Sequence, residues 1–287
     1  MRLFVKDLTV IDSSYLCPDR GLVGESWLVD IELGGTLNDM NMLLDFGVVK
    51  KLIKRIIDER VDHKLLLPAD SPLLNIESNV ERSKVFFKRA KNRLIYLDCP
   101  QQAFCLIPGE EIIDENLSEY IQQQVAASLP DNISGLKISL RNEKIDGPYY
   151  HYTHGLKRHD GNCQRIAHGH RSMLEIFIDG EEAPELVASW ARRWNNIYLA
   201  TTEDKVPLSQ LGLSHEQAQQ HSAFSYHSPQ GHFMLALPVD ESELIDCDTT
   251  VENLAEYICH TLAREHPNSA IKVIAYEGVG KGAIAYS

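Results

Sequence analysis

The chain alternates between stretches with apolar residues at every second position and stretches with apolar residues at three- and four-residue spacing. Two strand-like stretches end at glycine turns: SWLVDIELGG, from Ser26, and RSMLEIFIDG, from Arg171. A helical pattern follows each of them, FGVVKKLIKRIIDER from Phe46 and ELVASWARRW from Glu185. The pattern therefore predicts the same strand-then-helix unit twice.

The later part of each unit also indicates an internal duplication. The motif ENLxEYI occurs at Glu115 and at Glu252, roughly 137 residues apart, and opens a predicted helix each time. A short alternating run, LKISLRNE or IKVIAYEG, follows each helix. The stretch YLDCPQQAFCLIP, from Tyr96, resembles YHSPQGHFMLALP, from Tyr226. We interpret the chain as a tandem repeat.

Each half is predicted to run strand, strand, helix, extra hairpin, helix, strand, strand. This order is typical of an α+β unit with helices on one face of an antiparallel sheet. The boundary is placed near Asp146–Pro148, which gives domains 1–146 and 147–287. The polar segment 202–222 lacks periodicity, so we expect an irregular surface insertion there.

Composition narrows the class of protein. With 287 residues and 44% hydrophobic content, two domains of ordinary size are expected. The net charge of −13 argues against nucleic acid and membrane as partners. No long apolar run suggests a signal peptide or an anchor, so a cytoplasmic location is expected. The six cysteines form no CxxC pair, which favours reduced core residues over disulfides.

The densest group of reactive side chains lies between His151 and Ser172, which holds five of the twelve histidines. His168 and His170 are two residues apart at the start of a predicted strand, so their side chains share a face. His154, at the end of the preceding strand, is the natural third ligand. Three histidines with an open fourth position are the usual set of a catalytic zinc site.

The order of these residues resembles the 6-pyruvoyl/6-carboxytetrahydropterin synthase family. In that family a strand ending in F-x-A-x-H-x-L precedes a loop with the catalytic cysteine, and HGH opens the next strand. Here HYTHGL begins at His151, Cys163 follows, and HGH begins at His168. The resemblance implies that zinc is bound by His154, His168 and His170, and that Cys163 is catalytic.

The second half also carries the residues that the resemblance assigns to substrate. The family's PTxEN helix start is present as DTTVEN, with Asp248 in place of proline. This implies that Thr249 and Thr250 line a pterin pocket. Glu277 matches the family's pterin-anchoring glutamate, whose carboxylate can accept two N–H bonds from the pyrimidine ring.

The first half retains a different part of the family pattern. Its Asp62-His63 pair matches the family's LDH element, which implies a second acid/base group. The zinc positions of this half hold other residues, which we align as Ser14, Val23 and Glu25. A complete site is therefore expected to need one unit of each kind. Whether Asp62-His63 comes from the same chain or from a neighbour stays open.

The resemblance implies a zinc-dependent lyase with the tunnelling fold, whose units assemble into a barrel. Its substrate would be 7,8-dihydroneopterin triphosphate and its product 6-carboxy- or 6-pyruvoyltetrahydropterin. A homo-oligomer of three chains, which supplies six repeat units, or of a multiple of three chains is expected. The alternative is a non-catalytic pterin-binding or regulatory homologue. Basic residues surround the zinc segment and none is chosen as a triphosphate ligand: Lys157, Arg158, Arg165 and Arg171.

Overall fold

The first half of the chain folds as an α+β unit in this computed structural model, which describes residues 1–213 and 220–287. Its helices coincide with the predicted periodic stretches. The elements are β1 (Arg2–Cys17), β2 (Gly21–Gly35), α1 (Phe46–Arg60), β3 (Leu65–Pro68), β4 (Leu74–Ser78), β5 (Arg82–Arg89), β6 (Arg93–Pro100), β7 (Phe104–Ile107), α2 (Asp114–Ala126) and β8 (Ile133–Arg141).

The second half repeats this order with small additions. Two strands were predicted at the end of each unit. The second unit has both, whereas the first unit has only β8, after which the chain continues into the connection to β9. The elements are β9 (Tyr149–His154), β10 (His168–Ile178), β11 (Glu181–Glu182), α3 (Pro184–Arg193), β12 (Ile197–Thr201), β13 (Lys205–Val206), β14 (His221–Ser228), β15 (Gly231–Pro238), β16 (Ser242–Ile245), α4 (Val251–Glu265), β17 (Ile271–Tyr276) and β18 (Gly282–Tyr286).

Each unit builds its own sheet and covers it with its own helices. The first sheet has the order β7-β3-β1-β2-β8, and the second has the order β16-β12-β9-β10-β17-β18 with β11 beside β10. The long strands are antiparallel as predicted, whereas β3, β7, β12 and β16 add short parallel pairings that alternation did not predict. Ile53 of α1 and Ile121 of α2 lie in one core, and Trp194 and Ile258 lie in the other.

A third sheet joins the two units. Its order is β13-β14-β15-β6-β5-β4, and the units meet where β6 pairs antiparallel with β15, with Leu97 opposite Leu235. A short 3₁₀ turn after Pro100 leads from β6 to β7, and one after Pro238 leads from β15 to β16. Strand β6 therefore corresponds to β15.

This correspondence corrects one of the sequence matches. Residues 96–108 span β6, a turn and β7 in two different sheets, whereas residues 226–238 span the β14–β15 hairpin. The match from Tyr96 to Tyr226 was therefore wrong. Short apolar runs divided by proline or glycine look alike whichever strands they form, since alternation carries no information about the partner strand.

The two units touch closely where β1 and β2 meet β9 and β10. A Cβ on Gly24 would lie 1.9 Å from the Tyr152 carbonyl oxygen, and one on Gly169 would lie 2.6 Å from the Gly24 Cα. The hydroxyls of Ser14 and Thr153 are 2.8 Å apart. Only glycine permits this approach of two backbones. The contacts match Gly24 with Gly169 and Ser14 with Thr153.

Strand register therefore moves one of the aligned zinc positions. Tyr15 lies opposite Val23 in the first unit, as His154 lies opposite His168 in the second. The counterpart of His154 is thus Tyr15, and the alignment to Ser14 was wrong by one residue. A single-residue shift moves a side chain to the other face of a strand, and only the pairing partner fixes it.

The segment 202–222 is more ordered than predicted in its described part. Residues 214–219 of it lie outside the described residues. Before them the chain forms β13 and short 3₁₀ turns, and Leu211 and Leu213 are buried against Tyr96 and Ala236 in a small core. The described part of this segment has only three leucines and one valine, which are too few to show periodicity, so the sequence did not reveal this packing.

Two further expectations concern the membrane and the cysteines. No helix within residues 1–213 and 220–287 is long and apolar enough to cross a membrane. All six cysteines are free, and three are buried: Cys99, Cys105 and Cys259.

Candidate active site

The three predicted histidine ligands converge inside the second unit. His154 lies directly opposite His168 in the β9–β10 pairing, and His170 lies two residues further along β10 on the same face. One ring nitrogen from each histidine lies within 4.8 Å of the other two. All three side chains are buried. The antiparallel register thus assembles the cluster from a sequence spacing of fourteen and sixteen residues.

Hydrogen bonds orient two of these rings toward a common centre. His154 Nδ1 lies 2.9 Å from the Thr249 carbonyl oxygen, and His168 Nδ1 lies 3.1 Å from the Arg165 carbonyl oxygen. A carbonyl only accepts, so Nδ1 carries the proton and Nε2 is left with a free lone pair. Burial lowers the pKa of both histidines well below the ordinary value, which keeps them neutral.

The free nitrogens are the observation that fits a metal. Among the described residues, Nε2 of His154, His168 and His170 is buried without a hydrogen-bond partner. Buried polar atoms are normally paired, and three unpaired imidazole nitrogens aimed at one point suit a divalent cation. Neutral nitrogen ligands of this number match catalytic zinc.

The Asp62-His63 pair of the first unit lies beside Cys163 of the second, within one chain. His63 has a left-handed φ of 55°, and its Nδ1 lies 2.6 Å from Asp62 Oδ2. Atoms of His63, Cys163 and His168 lie within 4.8 Å of one another. Burial lowers the pKa of His63, but hydrogen bonds to Asp62 and Cys163 outweigh it and raise that pKa to about 10. Asp62 and His63 thus lie beside Cys163 and His168 of the same chain.

The loop with Cys163 is held by the sheet that joins the two units. The Tyr226 hydroxyl donates to the Gln164 carbonyl oxygen at 2.7 Å, and the Gln230 N–H donates to Gln164 Oε1 at 3.1 Å. Gln230 Nε2 also donates to Asn162 Oδ1 at 2.9 Å. These contacts fix the cysteine loop against the β14–β15 hairpin. Sequence reasoning did not find them, because no motif marks their residues.

The residues predicted to contact substrate divide into two groups. Glu277 lies at the edge of the cluster, with Oε1 3.9 Å from His170 Nε2 and 21% of its side chain exposed. Thr249 is only 1% exposed and holds His154, whereas Thr250 caps α4 by accepting the Asn253 N–H. The position of Glu277 suits a ligand contact. The two threonines have structural partners instead, which sequence alone could not distinguish from pocket lining.

The four basic side chains near the site all have protein partners. They are Lys157 with Glu203 and Asp204, Arg158 with Asp248 and Glu203, Arg165 with the carbonyl oxygens of Asp62 and His63, and Arg171 with the Glu143 carbonyl oxygen and the Tyr149 ring. A triphosphate would have to compete with these contacts.

A three-histidine cluster beside a cysteine, a histidine and an aspartate could hold a metal ion next to groups that can exchange protons. The sequence profile of the 6-pyruvoyl tetrahydropterin synthase family matches this chain twice, over residues 18–145 and 148–286. The chain belongs to that family, as a tandem repeat of its unit.

Individual proteins are also similar to this chain. A Methanocaldococcus jannaschii protein, provisionally named 6-carboxy-5,6,7,8-tetrahydropterin synthase, is 31% identical over 134 residues, covering 45% of this chain and 78% of that protein. A Pyrococcus horikoshii protein with the same provisional name is 23% identical, covering 45% and 74%. The solved 6-pyruvoyl tetrahydropterin synthase of Plasmodium falciparum is 18% identical at a TM-score of 0.41, covering 49% of this chain and 90% of its own. The Plasmodium vivax enzyme is 19% identical at 0.39, covering 50% and 98%.

Proposed function

We propose that this chain is a zinc-dependent lyase that converts 7,8-dihydroneopterin triphosphate to 6-carboxy- or 6-pyruvoyltetrahydropterin. The observation that carries the proposal is the set of three buried, unpaired Nε2 atoms beside Cys163 and the Asp62-His63 pair. The names of the archaeal relatives support the same reaction class. Zinc would be held by His154, His168 and His170.

Bound zinc would polarise the side-chain oxygens of the substrate and favour negative charge on them. Cys163 is the proposed base for the proton next to those oxygens, because its thiol adjoins the cluster. His63 is the proposed partner that exchanges this proton, and Asp62 holds its ring by the 2.6 Å contact. Glu277 is proposed to bind the pyrimidine edge through its carboxylate.

The threonines are assigned differently from the sequence expectation. We propose that Thr249 orients His154 through its carbonyl and hydroxyl oxygens, which lie 2.9 and 3.1 Å from Nδ1. Thr250 is proposed to stabilise the start of α4, where its side chain accepts an N–H. Each role follows from contacts with the protein, and neither requires a substrate.

The test is a product analysis with the zinc-loaded chain. The protein is incubated with 7,8-dihydroneopterin triphosphate, and pterin mass, triphosphate release and acetaldehyde release are followed. Release of triphosphate alone identifies the 6-pyruvoyl product. Release of acetaldehyde together with triphosphate identifies the 6-carboxy product. Metal-free protein and Cys163→Ala are the controls: the first should be inactive, and the second should be slowed about 10²- to 10⁴-fold.

The alternative is a pterin-binding or regulatory homologue without turnover. It is favoured by Asp248, which replaces the family's proline and pairs with Arg158 at 2.7 Å near the loop of the site. Binding of the pterin at stoichiometric amounts with neither release product would establish this alternative and exclude the lyase.

We also propose a homo-oligomer of three chains. Strand β18 is a sheet edge, and its Ile284 and Tyr286 are 54% and 70% exposed, so they suit burial against another chain. Light scattering should give a mass of about three chains. A monodisperse monomer would contradict the proposal.

A further inference from the structure

The two units carry the same buried pair of acid and imidazole, but with the two residues exchanged. Asp12 and His151 occupy matching positions, each two residues before the paired hydroxyls of Ser14 and Thr153. Glu25 and His170 match in the same way, each following one of the paired glycines. Asp12 lies 3.2 Å from His170, and His151 lies 3.6 Å from Glu25 with its Nδ1 hydrogen-bonded to the Gly24 carbonyl oxygen at 2.7 Å. Each pair therefore bridges the two units.

The acid beside the three-histidine cluster of the second repeat is Asp12, which belongs to the first repeat. Its Oδ1 lies 3.2 Å from His170 Nδ1, within ion-pair distance but without hydrogen-bond geometry, and on the side of the ring away from Nε2. The Ser26 hydroxyl donates to the same oxygen at 2.6 Å. Oδ2 accepts from Lys281 Nζ at 3.1 Å. Asp12 is 4% exposed, so water does not compete for these contacts.

The charge of Asp12 is kept by its neighbours. Lys281 Nζ, the Ser26 hydroxyl and the His170 ring surround the carboxyl, and such neighbours favour its ionised form. Burial lowers the pKa of Lys281, while Asp12 and Glu277 raise it overall. A buried carboxylate is therefore compensated by one ammonium group and one imidazole.

The backbone of Asp12 reaches the acid/base pair as well. Its N–H donates to Asp62 Oδ1 at 2.8 Å, and its carbonyl oxygen accepts from the His63 N–H at 3.0 Å. One residue of β1 thus touches a predicted metal ligand through its side chain and the Asp62-His63 pair through its main chain. A movement of Asp12 would disturb both groups together.

We propose that Asp12 is a positioning residue of the metal centre: it orients the His170 imidazole and balances the charge of the ion, while Lys281 holds its second oxygen. The inference rests on the proposed zinc function. A carboxylate at the outer nitrogen of a ligating histidine fixes the ring and makes its inner nitrogen a better donor. On this view the first repeat lost its own ligands yet still supplies an outer contact to the remaining site.

The exchanged pair supplies a matched control. Glu25 is also a buried carboxyl at the interface between units, and it contacts His151 rather than a predicted ligand. If Asp12 mattered only for packing of the units, Glu25 should matter in the same way. If Asp12 acts on the metal, only its own substitution should change metal binding.

The experiment compares Asp12→Asn with Glu25→Gln and the parent chain. Zinc affinity is measured by competition with a chromophoric chelator, the Co²⁺-substituted proteins are compared by visible absorption, and the metal-free proteins are melted. We expect Asp12→Asn to weaken zinc binding about 10- to 100-fold and to shift the Co²⁺ bands. Glu25→Gln should keep the parent affinity and spectrum.

Equal zinc affinity in Asp12→Asn and the parent would overturn the inference. So would equal weakening in both variants, which would indicate general loosening of the interface. If Asp12→Asn does not fold, Lys281→Met replaces it, since Lys281 is half exposed. That variant should weaken zinc binding in the same direction but less, and an unchanged affinity would then refute the proposal.

The outcomes also separate this inference from the proposed function. If the parent chain binds zinc and turns over substrate, and Asp12→Asn has the same zinc affinity, only the proposed role of Asp12 is refuted. A parent chain without tight zinc binding removes both.

Discussion

The two repeats share one architecture and differ in what they place at the same positions. Where the second presents His154, His168 and His170, the first presents Tyr15, Val23 and Glu25. The first repeat nevertheless places Asp62, His63 and Asp12 next to the histidine cluster of the second repeat in the same chain.

The comparison shows which contacts a fused duplication can lose. Asn195 and Asn196 occupy the positions of Asp62 and His63 in the second repeat, and Asn196 has the same left-handed φ, 58° against 55°. The Asn196 N–H donates to the His151 carbonyl oxygen as the His63 N–H donates to that of Asp12. The backbone is thus kept in both halves, while the reactive side chains are kept once.

The largest expected effect is the loss of zinc after substitution of a ligand in the second repeat, with no loss after substitution of the matching residue in the first. His168→Ala should reduce zinc from about one per chain to almost none and remove turnover, because it deletes one of three ligands. Val23→Ala, at the matching position of the first repeat, should keep the zinc. Metal analysis by mass spectrometry measures both, and two zinc ions in the parent chain would show that the asymmetry is false.

Removal of the thiol should separate chemistry from metal binding. Cys163→Ala is expected to keep zinc and pterin binding and to lower kcat about 10²- to 10⁴-fold, the usual contribution of a general base. Cys17→Ala, at the end of β1 in the first repeat, is the control and should be fully active. Loss of zinc from Cys163→Ala would instead make the thiol a metal ligand.

The pH profile should report the charge on His63. Its pKa of about 10 means that the ring is protonated at neutral pH, and its stabilising pairing with Asp62 is lost as pH rises toward that value. We expect kcat/KM to fall on the alkaline side. Asp62→Asn should move this limb about 1 to 3 units lower, because the neighbouring anion is removed. An unmoved limb would exclude His63 as its source.

The smallest effect concerns stability in the repeat without the three-histidine cluster. Burial raises the pKa of Glu25 from 4.5 to about 7, so wild-type stability should fall as pH rises between these values. Glu25→Gln lacks this loss, and its stability relative to wild type should increase by on the order of 2 to 3 kcal/mol across the window. Urea unfolding of metal-free protein at several pH values measures this. Parallel curves for the two proteins would contradict the expectation.

Local patterns predicted the helices and the histidine cluster, because both depend on short-range spacing. The span of α1 follows from its 3.6-residue periodicity, and the pairing of His154 with His168 follows from two adjacent strands. Strand register was not predictable, so Tyr15 was missed and residues 96–108 were matched to the wrong strands.

The supporting contacts of the site were also beyond the sequence. The carbonyl oxygens of Thr249 and Arg165 orient two ligands, and any residue type could supply them. Asp12 lies more than a hundred residues from His170 and belongs to no family motif quoted above. Only the approach of the two repeats through Gly24 and Gly169 brings it there.

We propose that one chain builds one complete site from both of its repeats. This proposal is tested most directly by refolding His63→Ala chains together with Cys163→Ala chains and measuring turnover. Two controls show how much activity refolding recovers: wild type refolded alone, and wild type refolded together with chains that carry both His63→Ala and Cys163→Ala. The structure places His63 and Cys163 of the same chain together, so every site in the mixed sample should stay broken and no activity should return. Activity above that of the two variants refolded separately would show that sites form between chains and would contradict the account.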